Sequence, residues 1–131
     1  MRIAIAVEDS KGLDSITANH FGRCPYYIFV DLDGQQIKKI ETLPNPYYGN
    51  HQPGAVPGFI HEHNADIIVA GGMGRRAIDL FKEYKVQAYT VAPSNVRQVL
   101  EQFTDGNLED AQPCKEHEGN EGDEDHEHHC A

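Results

Sequence analysis

Along residues 1–110, apolar and polar positions group into blocks of strand and helix length. Arg2-Ile3-Ala4-Ile5-Ala6-Val7 is a nearly continuous apolar run, the pattern of a central strand covered on both faces. A polar stretch over residues 8–24 reads as a long loop. Aromatic and β-branched residues dominate 26–32, which reads as a second strand. Asp33-Gly34 is a strong hairpin signal, so residues 36–43 are predicted to pair back as a third strand, at an edge because of Lys38 and Lys39. Residues 44–54 hold three prolines and two glycines and cannot continue a ladder.

The spacing of Val56, Phe59, Ile60 and His63 predicts a short helix, with Pro57 tolerable only near its first turn. Residues 66–70 then read as a buried strand, reached through a helix and therefore parallel to the first. Ala77, Leu80, Phe81 and Tyr84 define one face of a helix over 75–84, and 86–91 reads as a further strand. Ser94 suits the N-cap of a last helix carrying Val96, Val99, Leu100 and Phe103, which Asp105-Gly106-Asn107 ends. The order β-β-β-α-β-α-β-α predicts an α/β fold, a mixed five-stranded sheet with helices packed on it. Its antiparallel meander followed by right-handed crossovers resembles the ribonuclease-H-like topology.

After residue 110 the pattern stops. The 131-residue chain fits one domain, residues 1–110, followed by a tail, 111–131, that lacks large aliphatic or aromatic residues from Pro113 onward and is expected to be disordered. Of the net charge of −10, residues 1–110 carry ten Lys+Arg against fourteen Asp+Glu, a balance of −4; the tail carries one against seven, a balance of −6. An acidic chain repels phosphate backbones, so nucleic acid is not an expected partner. Three cysteines without a CxxC pair do not suggest a disulfide framework and fit a reducing cytoplasm. No apolar run approaches the ~20 residues of a spanning helix, so no membrane association is expected.

Chemistry concentrates in two loops. Asn19-His20-Phe21-Gly22-Arg23-Cys24 places an imidazole, a thiol and a guanidinium within six residues. Imidazole and thiolate ligate iron, zinc and copper, and arginine neutralises an anion held beside them. The plainer alternative is a structural turn with a buried cysteine. Gly71-Gly72-Met73-Gly74 runs from a strand into a helix, where glycines let backbone amides approach an anion at the positive helix end. It is neither GxGxxG nor GxxxxGK[ST], and tight packing is again the alternative.

The pair of motifs, His20-Phe21-Gly22-Arg23-Cys24 and Asp66-Ile67-Ile68-Val69 leading into Gly71-Gly72-Met73-Gly74, resembles the dinitrogenase iron–molybdenum cofactor biosynthesis family over roughly residues 1–105. The resemblance implies a ribonuclease-H-like fold and non-covalent carriage of an iron–sulfur or iron–molybdenum type cluster, without catalysis. It implies His20 and Cys24 as candidate ligands. Asn19, Phe21, Gly22, Arg23, the backbone of Gly71, Gly72, Met73 and Gly74, and Arg75 would surround the anionic cluster, with cluster donor or acceptor proteins as partners.

The tail offers Cys114, His117, His126, His128, His129 and Cys130 among carboxylates, a set that can take up divalent metal without a folded site, or else a solubilising tail. His61 and His63, two apart on a helix, point away from each other. His51 lies in the proline-rich loop. Two other functions compete. A Mg²⁺-dependent hydrolase needs converging carboxylates, which Glu8, Asp9 and Asp31 do not recognisably form. A regulatory domain would use the glycine loop for a phosphorylated metabolite.

Overall fold

Alternation inside the first apolar run decides the architecture. In the computed structural model, which describes residues 1–48, 54–106 and 108–110, Arg2–Val7 forms strand β1. Ile3, Ile5 and Val7 point into one buried cluster, and Ala4 and Ala6 into another on the opposite face. A strand buried on both faces belongs in the middle of a sheet. β2 (Tyr26–Asp33) and β3 (Gln36–Pro44) pair beside it antiparallel, while β4 (Ile67–Ala70) and β5 (Gln87–Thr90) lie parallel on its other side.

All five expected strands are present, and a sixth joins them. β6 (Glu109–Asp110) pairs antiparallel with β5, giving the order β3-β2-β1-β4-β5-β6. Two acidic residues have no apolar alternation, so only their partner strand makes them a strand. The hairpin turns at Gly34-Gln35, where Gly34 takes φ +67° at the first central position, the glycine place of a type II′ turn. A register shift beyond Asp31 leaves Lys38 unpaired in β3 and disturbs this edge against further pairing.

Three helices cover the sheet. α1 (Ala55–Glu62) and α2 (Arg75–Tyr84) pack on the face of Ala4 and Ala6, where the two small side chains leave room for their pair partners Phe29 and Tyr27. α3 (Val96–Thr104) lies on the other face through Val96, Val99 and Leu100. Its cap is Asn95, one residue beyond the expected Ser94: the Asn95 side chain accepts a hydrogen bond from the Gln98 amide at 2.9 Å. The Ser94 backbone is tied to Thr17, its carbonyl accepting from the Thr17 amide at 2.8 Å and its amide donating to Thr17 Oγ1 at 3.1 Å. No helix among the described residues is long and apolar enough to cross a membrane. Expectations for His51 and for residues 111–131 lie outside the described residues.

Candidate functional site

The two loops singled out by their chemistry meet at the carboxyl ends of β1 and β4. After β1 the chain passes through a single 3-10 turn (Gly12–Asp14) and returns across the strand ends, bridging Val7 to Thr17 and Ile16 to Asn95. The Ala18 amide then donates to Ala6 O at 2.8 Å, Gly71 N–H to Ala18 O at 2.8 Å and Phe21 N–H to Gly72 O at 2.9 Å. Residues 18–22 and 71–74 are thus stitched together by their backbones.

Glycine makes the seam possible. A Cβ on Gly71 would stand 2.8 Å from Asn19 Cα and 2.9 Å from Ala18 O, and one on Gly72 would stand 3.1 Å from Asn19 O. These contacts are with backbone, which has little freedom to move aside. The glycines therefore serve a loop-to-loop approach, where the packing alternative had placed them between strand and helix.

Once Gly71 N–H is used in the seam, the amides of Gly72, Met73 and Gly74 donate to no described residue. Gly74 caps α2 with no side-chain hydrogen bond, so no described side chain caps the positive end of that helix. Met73, expected to line the cargo with its backbone, is buried as a whole residue at 1% exposed, so it is the half-buried Gly72 and Gly74 that bring this loop to the surface. Asn19, Arg23, Arg75 and Arg76 are exposed around this end, and His20 is half-buried. None of the three arginines makes an ion pair among the described residues. The arrangement is suited to holding an anion.

Beneath this surface the first loop is anchored in the core. Phe21 is buried, its ring edge-on to Phe81 at 5.2 Å and tilted against Tyr27 at 5.8 Å. Gly22, at φ +93°, turns the chain and donates its amide to Tyr27 Oη at 3.1 Å. Cys24, expected on an open loop outside the core, is 1% exposed and belongs to the cluster facing α1 and α2. Burial pushes its thiol up to about 11, outweighing a hydrogen bond with Tyr27 that favours the thiolate. The Tyr27 hydroxyl is pushed upward too, again by burial.

Asn45 holds this turn from below, a role the sequence reading missed. Its side-chain amide donates to Cys24 O at 2.8 Å, its backbone N–H donates to Pro25 O at 2.9 Å, and its Oδ1 accepts from the Tyr47 amide at 2.9 Å. An asparagine between two prolines was the available signal, since Pro44 and Pro46 offer no amide of their own.

No three His, Cys, Asp or Glu side chains converge as a metal-ion site among the described residues. Glu8 and Asp9 follow β1 at the loop end, whereas Asp31 pairs with Arg2 at the opposite end of the sheet, Arg2 Nε donating to its Oδ1 at 2.8 Å. The three carboxylates do not converge. Two buried polar atoms, Asp9 Oδ1 and Ser94 Oγ, lack a hydrogen-bond partner among the described residues. His61 stacks on Tyr84 at 4.3 Å, while His63 packs on Phe59 at 4.5 Å, so the two do diverge. A groove of about 190 Å³ lined by Leu13, Leu32, Ile37 and Leu100 lies at the hairpin end of the α3 face, remote from both loops.

Comparison with known proteins bears on the family and the fold. The model of the dinitrogenase iron–molybdenum cofactor family matches residues 1–106. MJ0580 of Methanocaldococcus jannaschii is 24% identical over 111 residues, covering 83% of this chain and 90% of that protein. The crystal structure of PH0822 superposes with a TM-score of 0.74 at 36% identity, covering 84% of this chain and 96% of that one. The apo form of the orange protein from Desulfovibrio gigas shares the fold, with a TM-score of 0.74 at 23% identity over 86% of this chain and 93% of that one.

Proposed function

The chain belongs to the dinitrogenase iron–molybdenum cofactor family, and we propose that it is a non-enzymatic carrier or store of a preassembled, anionic iron–sulfur or molybdenum-containing cluster. One observation carries this reading: among the described residues, the amides of Gly72 and Gly74 and the start of α2 have no hydrogen-bond acceptor, and Arg23 and Arg75 beside them make no ion pair. Such a surface recognises charge and shape, as suits a cargo that arrives whole. His20, half-buried at this end, is the candidate side-chain ligand. Cys24 becomes a ligand only if the turn through Phe21 and Gly22 opens, because its sulfur is sealed in the core. Asn19 and Gly22 line the cargo's edge.

The strand order β3-β2-β1-β4-β5 supports a ribonuclease-H-like assignment for the fold. The reading places the protein in the cytoplasm, where cluster donors and acceptors would be its partners. It gives the tail, through Cys114, His117, His126, His128, His129 and Cys130, a looser uptake of divalent metal.

The test is metal and sulfide analysis, with an absorption spectrum, of full-length protein isolated anaerobically and of protein reconstituted with iron and sulfide. His20→Ala, Arg23→Ala and Arg75→Ala should each lower occupancy while leaving thermal unfolding unchanged. The arginine losses should be larger at low salt, since exposed charges are screened. A colourless protein with unaltered variants, or Mg²⁺-dependent phosphodiester cleavage, would overturn the proposal. Saturable binding of a phosphorylated metabolite without cluster would assign the glycine loop to regulation.

A further inference from the structure

Each row of paired residues in the sheet ends at a side chain of β3, the edge strand. Among the described residues β3 is flanked by β2 alone, and residues 36–40 are exposed along it. Paired positions share a face of a sheet. One row runs Ile3, Val30, Ile40. Its first two members are fully buried toward α3, whereas Ile40 at the end is 37% exposed. The neighbouring rows run Arg2, Asp31, Lys39 and Ala4, Phe29, Glu41, on the face of α1 and α2. An isoleucine thus ends one face of the edge, between a lysine and a glutamate that end the other.

Lys39-Ile40-Glu41 is complementary to its own reverse. A second copy that joins this edge antiparallel, about a two-fold axis, continues the sheet, and paired residues must then lie on the same face. That condition centres the pairing on one of residues 39–42. A centre at Lys39 or Glu41 sets like charges directly opposite each other, which is destabilising. A centre at Thr42 brings Pro44, which has no amide to donate, opposite Ile40. A centre at Ile40 sets Lys39 opposite Glu41 twice and Ile40 opposite its own copy. The row Arg2, Asp31, Lys39 then continues into the copy's Glu41 with alternating sign. Arg2 first, and Lys39 after it, already hold the Asp31 carboxyl below its usual range. The register shift at Asp31/Leu32 limits the ladder. It puts Ile37 on the face of Leu32, opposite to the face of Leu43, so pairing ends beyond Lys38 and Thr42. A ladder this short buries less than the ~1,200 Å² of a standard interface, and the association is correspondingly weak.

We propose that β3 is a self-association edge, through which two copies of the chain join weakly into a two-fold dimer centred on Ile40 and held by reciprocal Lys39–Glu41 pairs. The occupant is a second copy because the chain itself carries the order of lysine, isoleucine and glutamate that this edge demands. Opposite charges select the partner and the register, while the lysine still repels strands that lack a facing carboxylate. Neither loop of the cargo site contributes to the pairing, and its test requires no cargo.

The experiment uses the full chain with a reductant that prevents cross-linking through cysteine, at physiological salt, where repulsion between two acidic chains is screened. Sedimentation equilibrium from micromolar to millimolar concentration should show a mass rising from 14.6 kDa toward twice that value. Amide shifts of residues 38–42 should follow the same concentration dependence, while those of residues 18–22 and 71–75 stay constant. Lys39→Glu and Glu41→Lys each set like charges opposite one another and should weaken self-association by about tenfold or more. Mixing these two single variants should restore pairing, because each supplies the charge that the other lacks. The Lys39→Glu/Glu41→Lys double variant should self-associate like the parent, and it carries the comparison if thermal unfolding shows that a single variant does not fold. A monomer at every concentration, self-association that either single variant leaves unchanged, a mixture or double variant that stays monomeric, or concentration-dependent shifts at another surface would each overturn the proposal.

Discussion

Replacing Gly71 with alanine tests the seam on which the site is built. The new methyl group would sit 2.8 Å from Asn19 Cα, 2.9 Å from Ala18 O and 3.1 Å from Asn19 O. All three atoms are backbone, so relief requires the loops to part. Forced overpacking of this sort costs about 1–3 kcal/mol. Parting also weakens the bond from Gly71 N–H to Ala18 O, worth about 1 kcal/mol. The stiffer unfolded chain of the alanine variant returns about 0.4–1 kcal/mol. The last two nearly cancel, leaving a net destabilisation of about 1–3 kcal/mol. Gly58→Ala, within α1, is the matched control: among the described residues its Cβ would meet only Tyr84 Oη of α2, at 3.8 Å, and relief of helical glycine should stabilise by about 0.5–1 kcal/mol. Denaturant unfolding of the two variants, with amide shifts of residues 18–22 as a local reporter, reads the difference. Equal stability of both variants, or undisturbed shifts in Gly71→Ala, would refute the steric argument.

Asn45→Ala should destabilise by about 1–3 kcal/mol, because the buried Cys24 carbonyl loses its donor, and amide shifts should move at residues 22–25. Cys24, in a Cys114→Ser/Cys130→Ser background, should react with a thiol reagent at pH 8 only at the rate of unfolding; rapid labelling of the native protein would mean that the turn opens readily. Arg2, through its hydrogen bond and charge, holds the Asp31 carboxyl below its usual range. The resulting stability is fully present above the unfolded value near 4 and is lost as the pH falls through the folded value. Asp31→Asn should therefore flatten that acid limb in urea titrations between pH 5 and 2, and an unchanged slope would assign the limb to other carboxylates.

How much of this was legible depended on whether a feature is local. The apolar run of β1, the aromatic run of β2 and the periodicity of α2 each carry their own signal, so these elements fall where the pattern predicts. β6 carries none, since two acidic residues become a strand only by meeting β5. The cap of α3 falls at Asn95 and not at Ser94, because the helix starts at Val96 and the Asn95 side chain reaches the Gln98 amide, while Thr17, distant in sequence, holds the Ser94 backbone. The candidate loops were visible as residue types, while Asn45 was hidden because its partners lie across the fold.

By itself the sequence determined the alternating α/β order, the two chemically dense loops, the acidic end of the chain and the family resemblance, because periodicity, motif and charge are properties of neighbouring residues. Tertiary structure decided that Gly71 and Gly72 serve the approach of one loop to another. It also decided that Phe21 and Cys24 face inward while Arg23 and Arg75 stay outside. Whether a thiol is a ligand or a core atom depends on what packs around it, and Tyr27, which hydrogen-bonds the Cys24 thiol, and Phe81, which packs on Phe21, come from a strand and a helix that the motif does not contain.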